Sequence, residues 1–194
     1  MEPLHTRLKR ETAAAHGSLE DYIEAQRFFT SMAGYVAFLR ASYAFQAEAE
    51  QVLTRAGATS VIPDWHLRHR AHLARQDLEV LEAAAGQKPT AHGRLTEVSS
   101  AAGVLGVAYV IEGATLGGAI VLKAVAPLGI SSSRGGTFLA SYGPDRSAMW
   151  QSFLATLSRW ERLGIECGEV TNAAAAAFEA ARRHFETTAT DAVG

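Results

Sequence analysis

Apolar positions recur at intervals of three and four along almost the whole chain, the repeat that lines one face of an α-helix. Leu4, Leu8, Thr12, Ala15, Leu19 and Ile23 make the first such stripe, with Pro3 near its first turn. A second opens at Thr30 or Ser31, runs through Tyr35, Leu39, Ser42, Gln46, Ala49 and Leu53, and ends near Gly57. Asp64 is placed to cap a third, through Leu67, Ala71, Ala74, Leu78, Leu81 and Ala85 to Gly86. From about Thr96 to Val125 the pattern changes: residues are apolar nearly all round, as in a helix that other helices surround, and Pro127 and Gly129 stop it. A Ser- and Gly-rich stretch from Gly129 to Pro144 reads as a long loop with a helical turn near Phe138. Asp145 then caps a helix carrying Trp150, Phe153, Leu154, Leu157 and Trp160, and Thr171 or Asn172 opens a last helix with Phe178, Ala181 and Phe185. No β-alternation, repeat or linker interrupts this series. The expectation is one all-α domain over residues 1–194, frayed from about residue 187.

Charge and composition narrow the function. With 18 Lys and Arg against 20 Asp and Glu, the chain lacks the basic stripe that binds DNA or RNA, so no nucleic-acid partner is expected. Residues 98 to 122 are apolar enough to suggest a membrane span, but Glu112 sits among them, and an acidic group at mid-membrane costs several kcal/mol. No span is expected, and the segment reads as a buried core helix. Met1 to His5 does not open a secretory signal, and the single cysteine, Cys167, forms no internal disulfide, so the sequence reads as cytoplasmic.

Within the core helix, Gly113, Gly117 and Gly118 each cost about 1 kcal/mol relative to alanine. Gly113 and Gly117 are one turn apart with Gly118 beside them, so they bare a strip of backbone and favour a kink. Such a strip either receives something flat, packs against another helix, or acts as a hinge. On the first helix, Lys9, His16 and Glu20 share one border of the apolar stripe. Glu20, one turn from His16, can fix the imidazole tautomer and leave the second nitrogen free as a metal ligand. Lys9 lies about 10 Å away along the axis, suited to an acidic group on the rim of a planar cofactor centred over His16. The same residues would also make an ordinary solvated border. Other groups point less clearly to chemistry. His66, His69 and His72 do not have the usual paired spacing of zinc ligands, and the stripe from Trp150 to Trp160 reads as core. His184 reads as a packing or surface residue, and Tyr109 and Tyr142 are possible pocket lining.

Thr12-Ala13-Ala14-Ala15-His16-Gly17-Ser18-Leu19-Glu20 resembles the proximal helix of the heme oxygenases, in particular the bacterial biliverdin-producing members associated with bacteriophytochromes. Tyr109-Val110-Ile111-Glu112-Gly113-Ala114-Thr115-Leu116-Gly117-Gly118 resembles their kinked, glycine-rich distal helix. The likeness continues through Phe138, Tyr142-Gly143 and the Trp150, Phe153, Leu157 spacing. It implies a heme-oxygenase-like helical bundle in which His16 is the axial ligand of the heme iron and Glu20 its partner. It further implies Lys9 as a propionate contact and Gly113, Gly117 and Gly118 as the distal wall. The implied reaction opens heme with O2 to biliverdin, carbon monoxide and ferrous iron. Electrons would come from an external reductase or ferredoxin, since the chain has no dinucleotide fingerprint, and a bacteriophytochrome is a possible acceptor of the biliverdin. Two positions depart from the family pattern. Ala114 replaces a residue that is commonly Ser or Asp, leaving Thr115 as a candidate anchor for distal water. The helix from Trp150 to Leu157 lacks the basic residues with which some members hold propionates, so Arg134 and Arg146 are considered instead. The alternative function is a protein of the same fold that binds heme or another tetrapyrrole without degrading it, and a further one is an all-α interaction module whose glycines serve helix packing.

Overall fold

The computed structural model describes residues 2–81 and 95–191, with side chains described to residue 188. Among these residues the chain is all-α, and the only β-type pairings are two isolated bridges, from Ser131 to Arg134 and to Gly135, within one turn. The helices are α1 (Leu4–Glu11), α2 (Ala13–Ala25), α3 (Met32–Arg55), α4 (Ala58–Val61), α5 (Ala71–Leu81), α6 (Ala101–Val125), α7 (Thr137–Ala140), α8 (Arg146–Arg162) and α9 (Cys167–Asp191). Short 3-10 turns join several of them.

Local chemistry explains most boundaries. Ser31 and Ser100 cap α3 and α6 with side chains that accept from the backbone N–H of Gly34 and Gly103. Gly57 and Gly129 turn the chain in the left-handed region after α3 and after the 3-10 turn that ends α6. The predicted first helix is divided at Thr12, whose hydroxyl donates to the Leu8 carbonyl, a back-bond that bends helices, while the ladder continues from Thr12 to His16.

Several expectations need correction. α6 begins at Ala101 rather than Thr96, because Ser100 caps it, and it runs unbroken across the glycines to Val125. Asp64 precedes only the short 3-10 turn Trp65–Leu67 and makes no side-chain cap: both its carboxylate oxygens bind Arg68 at 2.8 Å, and α5 starts at Ala71. The cap there comes from Glu50 of α3, which accepts from the backbone N–H groups of Arg70 and Ala71. Leu67 is exposed, whereas Arg68 and Arg70 are buried, so the predicted stripe fails at its first member, while Ala71, Ala74 and Leu78 are buried as expected. Asp145 makes no side-chain cap to α8. α9 starts at Cys167, four residues before Thr171, and ends at Asp191. Ala85 and Gly86 lie outside the described residues.

Two buried apolar clusters share α3 and α6. The larger joins Leu4 and Leu8 to the second half of α3, the first half of α6, Phe153 and Leu157 of α8, and α9. The smaller joins Phe28, Tyr35, Phe38 and Leu39 to α5, Val125, Leu139 and Phe185. The Ala101–Leu128 segment is long and apolar enough to cross a membrane, but over half of its most apolar window is buried and it packs against α9, α7, α3 and α8. It is the core helix of the bundle. It comes tightly against α9 at Gly106, where any side chain would collide with the backbone of Val170 and Ala174.

Candidate functional site

α9 is a floor on which α6 and α2 both stand. Along one face of α9, Ala174 meets Gly106 of α6, and Phe178, one turn further, presents its ring to the edge of His16 at 5.2 Å between centroids. Another turn on, Arg182 binds the Ser18 hydroxyl of α2 and stands over the Tyr22 ring. Thr12, at the junction of α1 and α2, lies beside Tyr109 of α6, and the His5 ring lies 6.3 Å from that of Tyr109. One turn beyond Thr12 is His16, and one and two turns beyond Tyr109 are Gly113 and Gly117.

His16 is half exposed, at 51% for its side chain. Its Nδ1 lies 3.3 Å from a Glu20 carboxylate oxygen, the one-turn spacing by which a carboxylate orients an imidazole. A Cβ added at Gly117 would meet nothing within 4 Å, and one at Gly113 would meet only the tip of the Trp150 ring at 4.0 Å. These two glycines face open space. Gly118 does not: a Cβ there would collide with the Leu139 carbonyl, so this glycine allows α7 to pack on α6 and is corrected from cofactor wall to packing contact. Thr115 is buried and its hydroxyl donates to the Glu112 carbonyl at 2.7 Å, so it is turned away from the open strip. Exposed Ala114 contributes a methyl group.

Lys9 is exposed, one turn from His5 on α1, and lies at the end of the row nearer Tyr109. Trp150, predicted as core, spans His5 at 5.8 Å and Gly113, and so borders the open region. Burial and the nearby Lys9 charge hold the His5 imidazole below its usual value. Arg146 is committed to the Leu139 and Ala140 carbonyls, and Arg134 lies in the exposed turn beside Gly129. No cluster of three or more potential metal-ligating side chains occurs among the described residues, and His69 packs on Trp65 at 4.9 Å.

Behind the glycine strip is an ionic network. Glu112, 1% exposed, receives Arg68 Nη1 at 2.6 Å and the Tyr142 hydroxyl at 3.0 Å, with Arg70 Nη2 3.6 Å away. Burial pushes the Tyr142 phenol well above its usual value, against the opposing pull of Arg70. Burial would raise the Asp64 carboxyl, but the Arg68 fork reverses that and holds it low. His184, expected as packing or surface, is buried with Nε2 2.7 Å from Glu48. The sequence offered one signal for the network: a lone Glu in an apolar helix demands a buried cation. It did not say which of the chain's 18 basic residues answers.

Known proteins decide what this arrangement belongs to. The heme oxygenase family matches residues 2–187, nearly the whole chain. The chain belongs to the heme oxygenase family. Heme oxygenase PigA of Pseudomonas aeruginosa is 30% identical over 165 residues, covering 84% of this chain and 79% of that protein. In structure the chain is similar to the NO- and CO-bound heme oxygenase of Neisseria meningitidis, with a TM-score of 0.83, 24% identity, and coverage of 98% of this chain and 94% of that one. It is also similar to heme oxygenase from Leptospira interrogans, with a TM-score of 0.77, 18% identity, and coverage of 96% and 100%. The two likenesses establish the heme oxygenase fold.

Proposed function

We propose that this heme oxygenase opens heme to biliverdin, carbon monoxide and ferrous iron, consuming O2 and electrons from a separate reductase or ferredoxin in the cytoplasm. The reading is supported by the half-exposed His16–Glu20 pair of α2 together with a glycine face of α6 on which two successive turns lack side-chain obstruction. Heme, as substrate, supplies the iron at which oxygen is activated.

His16 Nε2 would hold that iron, with the Glu20 carboxylate 3.3 Å from Nδ1 placed to orient the ring. Phe178 edge-on to the ring limits its rotation. Lys9 meets an acidic group at the rim, and Gly113 and Gly117 let the macrocycle approach α6 at backbone distance. Neither glycine nor Ala114 carries an acid or base, so the protons come from water. The product is suited to a bacteriophytochrome acceptor.

A second reading, a protein that holds heme or another tetrapyrrole without degrading it, is favoured by Ala114, which offers no side-chain donor to distal water. One cuvette separates the two: hemin is titrated into the apoprotein, then ascorbate or reduced ferredoxin is added in air. A saturable Soret band that decays into a biliverdin spectrum is expected. A stable Soret band would establish binding alone. His16→Ala is expected to shift the ferric spectrum and abolish most turnover, and a variant with wild-type spectrum and rate would remove His16 from the iron.

A further inference from the structure

We propose that Glu112 is a positioning residue: its clamp by Arg68, Arg70 and Tyr142 fixes the height of the Gly113–Gly117 wall over the heme and thereby selects the edge of the macrocycle that is opened. The inference rests on the heme oxygenase reading above. At 1% exposure Glu112 cannot reach a ligand in the open region, so it acts through its neighbour Gly113.

The clamp ties three separate pieces of chain to one point on α6. Arg68 joins Glu112 to both oxygens of Asp64 and to the Met149 carbonyl of α8, and Ser152 of α8 also binds Asp64 at 3.2 Å. Arg70 donates to the Ile111 carbonyl at 2.6 Å and reaches Ser141 Oγ at 3.4 Å, with its guanidinium 5.1 Å from the Tyr142 ring. Met149 and Trp150 are consecutive, so the network also sets the ring that touches Gly113. Ser141, at φ 50°, holds a left-handed backbone that a non-glycine residue keeps only when its surroundings enforce it.

Buried ion pairs seldom stabilise a fold beyond what apolar packing would achieve, but they are stringent about geometry, because a displaced guanidinium fork leaves charge unpaired. This clamp immediately precedes a helical segment with two glycines in one turn, where the backbone has the least intrinsic stiffness. Without it, the wall would still bar no ligand, yet its position would rest on packing alone, such as the contact of Gly118 with Leu139.

The test uses Glu112→Gln, which keeps the shape and removes the charge, and Tyr142→Phe, which removes one hydroxyl. Both are compared with wild type for hemin affinity and ferric spectrum, for amide hydrogen exchange of residues 113–118 in the apoprotein, and for the ratio of biliverdin isomers. Hemin is expected to bind through His16 with an unchanged Soret position, exchange over 113–118 to quicken about tenfold, and the isomer ratio to broaden. A folded Glu112→Gln protein with wild-type exchange and isomer ratio overturns the proposal. If that variant does not fold, Tyr142→Phe decides on the same two readouts. Should wild type bind hemin without degrading it, the reaction reading fails, while exchange in the apoprotein still tests the clamp.

Discussion

Gly117 and Gly118 are neighbours on one helix with opposite surroundings, and alanine at each should move stability in opposite directions. At 117 a methyl group meets nothing within 4 Å, so Gly117→Ala gains the helix propensity difference of about 0.8–1.0 kcal/mol. At 118 the same gain is set against a collision with the Leu139 carbonyl, a backbone atom that cannot yield by changing rotamer. Overpacking of that kind costs about 1–3 kcal/mol, and a fixed neighbour places this site near the upper end, for a net loss of about 2 kcal/mol. The two variants should therefore lie about 3 kcal/mol apart, or about 6–12 °C in Tm for a domain of this size. Urea and thermal unfolding of the apoproteins, followed by far-UV circular dichroism, measure this directly. Hemin titration adds the second half: Gly117→Ala, although more stable, should bind hemin more weakly, because its methyl group enters the space reserved for the ring. A Gly117→Ala apoprotein no more stable than wild type would refute the open strip, and a neutral Gly118→Ala would refute the packing role of Gly118.

Phe153 is fully buried beneath the Arg68 guanidinium, 5.9 Å from its ring centroid, so Phe153→Ala should cost about 3–5 kcal/mol in urea unfolding; a loss below about 1 kcal/mol would show the α8 interface to be loose. Alkaline stability follows from two phenols. Burial raises Tyr35 and Tyr142 above the ordinary value of 10.0, so the folded chain keeps both protons at a pH where the unfolded chain loses them. Their contribution is complete below pH 10 and is lost as pH rises through that range, so urea midpoints should fall above pH 10. Tyr35→Phe should flatten that fall while losing the bond to the Gly135 carbonyl, and an unchanged slope would exclude Tyr35 as a cause.

The stripe from Tyr35 to Leu53 was legible because every member is buried on one face of α3, where burial follows the period of the helix. The segment from Asp64 to Arg70 was misread for the converse reason. Its apolar spacing suggested Leu67 inward, but the buried carboxylate of Glu112 draws Arg68 and Arg70 in and leaves Leu67 in solvent. An ion pair between residues so far apart in the chain leaves no periodic mark. Among the glycines, spacing alone gave a strip of three, and only the position of α7 separates the packing role of Gly118 from the open faces of Gly113 and Gly117.

What the sequence determined by itself was the all-α class, the central apolar helix, and the two short motifs whose residues lie within a turn of each other, His16 with Glu20 and Gly113 with Gly117. These are properties of local geometry, because a helix fixes which side chains share a face before anything packs on it. The tertiary structure alone decided that α9 packs against both α2 and α6, that Thr12 lies beside Tyr109, and that Glu112 is held by arginines from a distant segment. Those relations depend on how helices cross and on which buried charge finds its partner, and the energy of such contacts is spread over residues that no sequence window contains.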